Sequence, residues 1–98
     1  MYKQTVPERI KQLRTLMLIH SYIYYKLHSN IVSDDLWQMW ANELRDMQKE
    51  HGEEWGWYDE DFKNWSGDTG MHLTFDSWVI SKSHYVIAVN KKMMENKQ

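Results

Sequence analysis

Ninety-eight residues with a formal net charge of −2 make one domain, able to bury roughly 60–65% of its unfolded surface. The near-neutral balance gives no general attraction to nucleic acid, and the absence of Cys excludes disulfides and thiolate chemistry. No run approaches the roughly 18 apolar residues of a membrane span, and the polar start "MYKQTVPERIKQLR" has no signal-peptide core, so a cytoplasmic protein is expected.

The first element opens at Thr5. Pro7 sits where its missing N–H costs nothing, and Glu8 completes a Thr-x-x-Glu capping box. Ile10, Leu13, Leu16, Met17, His20, Ile23, Tyr24 and Leu27 then recur at helical spacing, whereas Lys11, Arg14 and Ser21 fall off that stripe. His20, on the apolar stripe, reads as a hydrogen-bonded core residue rather than a metal ligand. The stretch "HSNIVSD" has a usual length for joining antiparallel helices. Ser33 or Asp34 caps the second helix, "DDLWQMWANELRDMQKEH", whose inner stripe is Leu36, Trp40, Leu44 and Met47 with Trp37 beside it. Asp34 and Asp35 suit the positive end of its dipole, and Gly52 is the expected stop. Residues 5–51 are thus a helical hairpin.

Residues 52–75 differ. The acids Glu53, Glu54, Asp59, Glu60 and Asp61 are interleaved with Trp55, Trp57 and Tyr58, and "SGDTG" is turn chemistry. This stretch reads as an aromatic connector packed over the hairpin, with a helical turn near Asp59–Trp65. Residues 76–95 are rich in β-branched and aromatic residues, which favours a strand, but Asp76 is a good cap and no partner strand exists. A third helix is expected there. The predicted fold is all-α, with an α+β arrangement as its alternative.

Catalytic patterns are missing. Neither a nucleophile elbow nor a Walker or Rossmann glycine spacing occurs, and the five histidines form no close ligand pair. No enzyme activity, metal or resident cofactor is expected.

Within residues 8–51, "RIKQLRTLMLIHSYIYYKLHSNIVSDDLWQMWANELRDMQKEH" resembles the N-terminal Ia helical subdomain of NAD-dependent bacterial DNA ligases. The likeness rests on Leu13-Arg14, Tyr22-x-Tyr24, Leu27, Ile31 or Val32 before Ser33-Asp34, Trp37, Glu43-Leu44 and Glu50-His51. It covers just under half the chain. The full chain looks still more like short ligase-related proteins of phages and prophages of Gram-positive bacteria. In the ligases this subdomain binds the nicotinamide mononucleotide half of NAD. The resemblance implies that Tyr24 and Asp34 keep the family's Tyr and Asp, and that Trp37 replaces a second ring-stacking Tyr. Tyr25 stands where the family has His, Gln38 where it has a second Asp, and His28 and Asn30 replace the Asp and Pro of the hinge. The Lys-x-Asp-Gly motif that accepts the adenylate is missing, so no ligase activity is expected.

Two classes of function follow. In the first, Glu53, Glu54, Trp55, Trp57, Asp59, Glu60 and Asp61 form an acidic aromatic face that docks on a basic, nucleic-acid-handling protein. The phage-type resemblance extends this to an inhibitor of a host or defence enzyme, such as a CRISPR nuclease, or to an accessory of a ligase or replication assembly. In the second, Tyr24, Tyr25, Asp34, Trp37 and Gln38 bind nicotinamide mononucleotide or NAD. Sequence features favour the interaction role, with no direct contact to nucleic acid or membrane.

Overall fold

Thr5 opens α1, Val6–Tyr25, through a reciprocal capping box. The Glu8 N–H donates to Thr5 Oγ1 at 3.3 Å, and the Glu8 carboxylate accepts from the Thr5 N–H at 3.0 Å, which holds the Glu8 carboxyl below its ordinary pKa. Ser33 caps α2, Asp34–His51, by accepting from the Leu36 N–H at 3.1 Å, and Gly52 ends that helix at φ +98°. Asp76 precedes α3, Ser77–Glu95, and accepts from the Val79 N–H at 3.0 Å. The structure, a computed structural model, describes residues 4–29 and 31–95. The two ends of the 1–98 domain and Asn30, at the hinge proline's position, lie outside the described residues.

No strand occurs among the described residues, and the fold is all-α. The strand propensity of residues 76–89 is overridden because helical spacing buries Val79 and Ser83 and half-buries Val86 and Asn90. The Ser83 hydroxyl donates to the Val79 carbonyl at 2.7 Å, inside the helix, and so needs no outside partner.

Helices α2 and α3 each pack on α1 and, among the described residues, not on one another. Helix α1 is therefore the central element. It buries Arg14, Leu18, Ile19 and Ser21 in addition to Ile10, Leu13, Met17, His20 and Ile23. This corrects the expected stripe, which left Arg14 and Ser21 outside. Helix α2 covers one side of α1, whereas α3 and the connector cover others. Tyr24, on the expected stripe, is half exposed. On α2 the buried centre is Ala41, Leu44 and Gln48, flanked by half-buried Trp37, Trp40 and Met47, and Leu36 lies outside the core cluster.

The connector, without regular secondary structure from residue 52 to residue 76, supplies Phe62, Trp65 and Leu73 to the core. The Trp65 indole N–H donates to the Ala41 carbonyl at 3.0 Å. Arg14 pins the segment from beneath. Its guanidinium donates to Gln48 Oε1 at 2.8 Å, to the Trp57 and Glu53 carbonyls at 2.6 and 2.8 Å, and to the Asp59 carboxylate at 2.7 Å. A buried charge is tolerable only with such complete pairing. Farther along, Gly70 lies so close to α1 that a methyl group there would overlap the Ser21 hydroxyl. Glycine is required there by contact rather than by backbone angle.

Candidate functional site

Helix α1 ends at Tyr25, and the chain turns back through His28 at φ +51°, a left-handed conformation that His adopts more readily than most residues. The Ser29 N–H donates to the Ile23 carbonyl at 3.1 Å and ties the turn to the helix end. This fold-back sets the last turn of α1 against the first turn of α2, leaving a cavity of about 190 Å³ between them. Tyr24, Tyr25, Asp34, Trp37 and Gln38, the positions that the resemblance singles out, all line it. His20, Ile23, Ser29, Ile31 and Val32 complete the wall.

Packing fixes several of these side chains. The Trp37 indole N–H donates to Ser21 Oγ at 3.3 Å, and the Tyr25 hydroxyl lies 3.2 Å from the Thr69 hydroxyl. The Gln38 amide donates to Asn42 Oδ1 and to the Gly67 carbonyl, both at 2.9 Å, which leaves its carbonyl oxygen as an acceptor. Tyr24 and Tyr25 meet edge to face at 5.0 Å. Asp34 is exposed at the start of α2, and no Lys or Arg among the described residues lines the cavity. The lining is thus aromatic, with acceptors and one negative charge.

His20, read from the sequence as a core residue, also lines the cavity. It is only 8% exposed, its ring tilts against Trp40 at 5.4 Å, and its Nδ1 has no hydrogen-bond partner among the described residues. The expected hydrogen-bonded core histidine is corrected on that point. Burial lowers its pKa from the ordinary 6.5, so the imidazole is neutral at pH 7. Its place four residues before Tyr24, on the same helix face, is the signal that could have marked it as a wall residue.

None of the acidic aromatic residues lines this cavity. Glu53 accepts from the Asn64 N–H at 2.8 Å, and Asp61 accepts from the Thr74 hydroxyl at 3.0 Å. Asp59 accepts from the Trp55 and Gly56 N–H groups, each at 2.9 Å, and from Arg14. Those bonds pull its pKa down to about 2. Glu54 and Glu60 remain exposed. Trp55 donates its indole N–H to the Gly52 carbonyl at 2.8 Å, and Trp57 packs edge-on against Trp78 at 5.3 Å with Lys11 over its ring at 4.4 Å. Glu53, Glu54, Asp59, Glu60 and Lys63 line a separate cleft of about 280 Å³.

No group of three or more His, Asp or Glu among the described residues is placed to hold a metal ion. No helix among them is long and apolar enough to cross a membrane. Compared with protein-family models, curated proteins and solved structures, the chain matches none.

Proposed function

We propose that this protein binds a small, flat, positively charged aromatic ligand at the hairpin bend, of the kind that the nicotinamide ring of NAD represents. The observation that carries this reading is the convergence of Tyr24, Tyr25, Asp34, Trp37 and Gln38 on one cavity whose lining, among the described residues, holds a carboxylate and no Lys or Arg. A cavity of about 150 Å³ accepts a benzene-sized molecule, so about 190 Å³ suits one substituted ring, with any ribose or phosphate left outside. Trp37 and Tyr24 supply aromatic rings for a cationic ring to stack on, and Asp34 supplies the opposing charge. The reading is of a binding protein, not a catalyst.

Calorimetric titration with nicotinamide mononucleotide and with NAD tests it. Heat of binding is expected for both ligands, and its loss in Asp34→Ala and Trp37→Ala. Flat traces with both would remove the reading.

The acidic cleft favours a second reading, in which the connector docks on a basic partner. Glu54 and Glu60, exposed on its rim, would receive a partner's Lys or Arg. A nucleic-acid-handling enzyme of a phage's host, including a CRISPR nuclease or a ligase assembly, has the required charge. Charge reversal at Glu54 and Glu60 abolishes capture of such an enzyme if this reading holds, and leaves it unchanged if it does not.

A further inference from the structure

Helix α3 turns one side to the core and leaves the adjoining side open. Val79, Ser83, Val86 and Asn90 face inward, and among the described residues α3 packs on no helix but α1. Beside that inner stripe, Trp78, Lys82, Tyr85, Val89 and Lys92 recur at alternating steps of four and three residues, and all five are exposed. Trp78 and Val89 are 37% and 39% exposed, and Tyr85 is 65% exposed. Single apolar side chains are ordinary on a surface, but this spacing, kept for about four turns, is the seam of a helix pair. The seam residues themselves select the second helix. In a parallel pair of α3 helices, Lys82 would face Lys82 and Lys92 would face Lys92, which like-charge repulsion disfavours. Turned antiparallel, the seam complements itself: Trp78 faces Val89, and Lys82 faces the Tyr85 ring. Lys82 Nζ already stands 5.9 Å from the centroid of its own Tyr85, so the same cation–π attraction is at hand across the pair. One layer farther, Lys92 comes to the start of the second α3, beside the exposed Asp76.

We infer that two copies of this chain associate through α3, antiparallel about a two-fold axis, with Trp78 against Val89 and Lys82 against Tyr85. A two-fold contact repeats every favourable pair and every mismatch, so a self-complementary seam is its requirement. The Lys82 stem lies along the apolar seam while its ammonium reaches water, and a cation at one seam position fixes orientation at some cost in strength. A foreign acidic helix would also meet Lys82 and Lys92. The second copy, however, supplies Tyr85 and Asp76 in the register that Trp78 and Val89 already set. Four layers bury little area, so a weak dimer is expected, half dissociated at about 10–100 μM. The cavity at the hairpin bend lies between α1 and α2, so this association neither needs nor tests ligand binding there.

Sedimentation equilibrium of the full chain, from about 5 to about 500 μM, reads the association. The mean mass is expected to rise from 12.0 kDa toward twice that value. Tyr85→Lys sets like charges against each other twice and is expected to weaken the dimer about tenfold or more. Tyr85→Glu, which puts a carboxylate opposite Lys82, weakens it far less. Both changes fall on a largely exposed side chain, so the monomer keeps its helices, as circular dichroism checks. The chain has no Cys, so orientation is read by oxidising an equimolar mixture of Trp78→Cys and Val89→Cys chains. The mixed disulfide is expected in excess of its statistical half of the cross-linked product. The mass of one chain at every concentration overturns the proposal and leaves the seam to a foreign partner. A dimer that Tyr85→Lys leaves intact, or that both Tyr85 variants weaken alike, overturns this interface. A statistical mixture, or preferential coupling of either Cys variant to itself, overturns the antiparallel register. Should Trp78→Cys not fold, the two Tyr85 variants decide.

Discussion

Arg14 and His20 lie six residues apart on α1, both buried, and the fold treats them in opposite ways. The connector and α2 surround Arg14 with four acceptors, and His20 Nδ1 has no hydrogen-bond partner among the described residues. A fully satisfied buried polar group holds a structure together. An unsatisfied one weakens it. The comparison separates the end of the hairpin that carries stability from the bend that carries the candidate site.

Removing Arg14 is the harshest way to probe that division. Arg14→Met leaves Gln48, two carbonyls and Asp59 without their donor and is expected to cost about 3–5 kcal/mol, read by urea unfolding. The connector is expected to loosen first, with Trp55 and Trp57 fluorescence shifting to the red. Gly70→Ala forces a methyl into the Ser21 hydroxyl and is expected to cost about 1–3 kcal/mol, read from the same midpoint.

Acid sharpens the comparison without substitution. The Asp59 carboxyl titrates near 2 in the folded protein, below its ordinary 3.8, so the unfolded chain binds more protons in that interval. Its stabilising effect is present above about pH 4 and is lost as pH falls toward 2. In Asp59→Asn this part of the acid limb disappears from a stability–pH profile. At the other extreme, the Tyr58 hydroxyl donates to Asp76 Oδ2 at 2.6 Å, and burial together with that carboxylate pushes its pKa up to about 12. The folded state therefore holds the proton more tightly, and this contribution is present below pH 10 and lost between 10 and 12. Tyr58→Phe is expected to cost about 1 kcal/mol at pH 7 and to remove that alkaline step.

The smallest effect belongs to His20. His20→Leu removes a buried nitrogen that has no hydrogen-bond partner among the described residues and puts an apolar side chain in its place, so its unfolding stability is expected within about 1 kcal/mol of wild type. A cost as large as that of Arg14→Met would break the comparison and make His20 a structural residue.

Much of the architecture was legible because its signals are local. Thr5 with Glu8, Ser33, Gly52 and Asp76 mark helix ends through bonds that span a few residues. The hairpin positions Tyr24, Asp34 and Trp37 were legible too, since the two helices that bring them together are adjacent in sequence. The role of the acids was not. Glu53, Asp59 and Asp61 look like a solvated negative face, and only the folded chain turns them onto Asn64, Arg14 and Thr74. The expected stripe of α1 failed for the same reason, because two later segments cover its other sides.

By itself the amino-acid sequence determined the first two helices, their caps and the bend between them, since each depends on hydrogen bonds and side-chain periods within one or two turns. The strand-prone residues of α3 left two arrangements open. Only the tertiary structure decided that Arg14 is buried, that Glu53, Asp59 and Asp61 bond to other parts of the chain, and that His20 Nδ1 has no hydrogen-bond partner among the described residues. Those outcomes depend on groups 34 to 45 residues distant along the chain, as for Arg14, or on the lack of any within reach, as for His20. No local pattern encodes either condition.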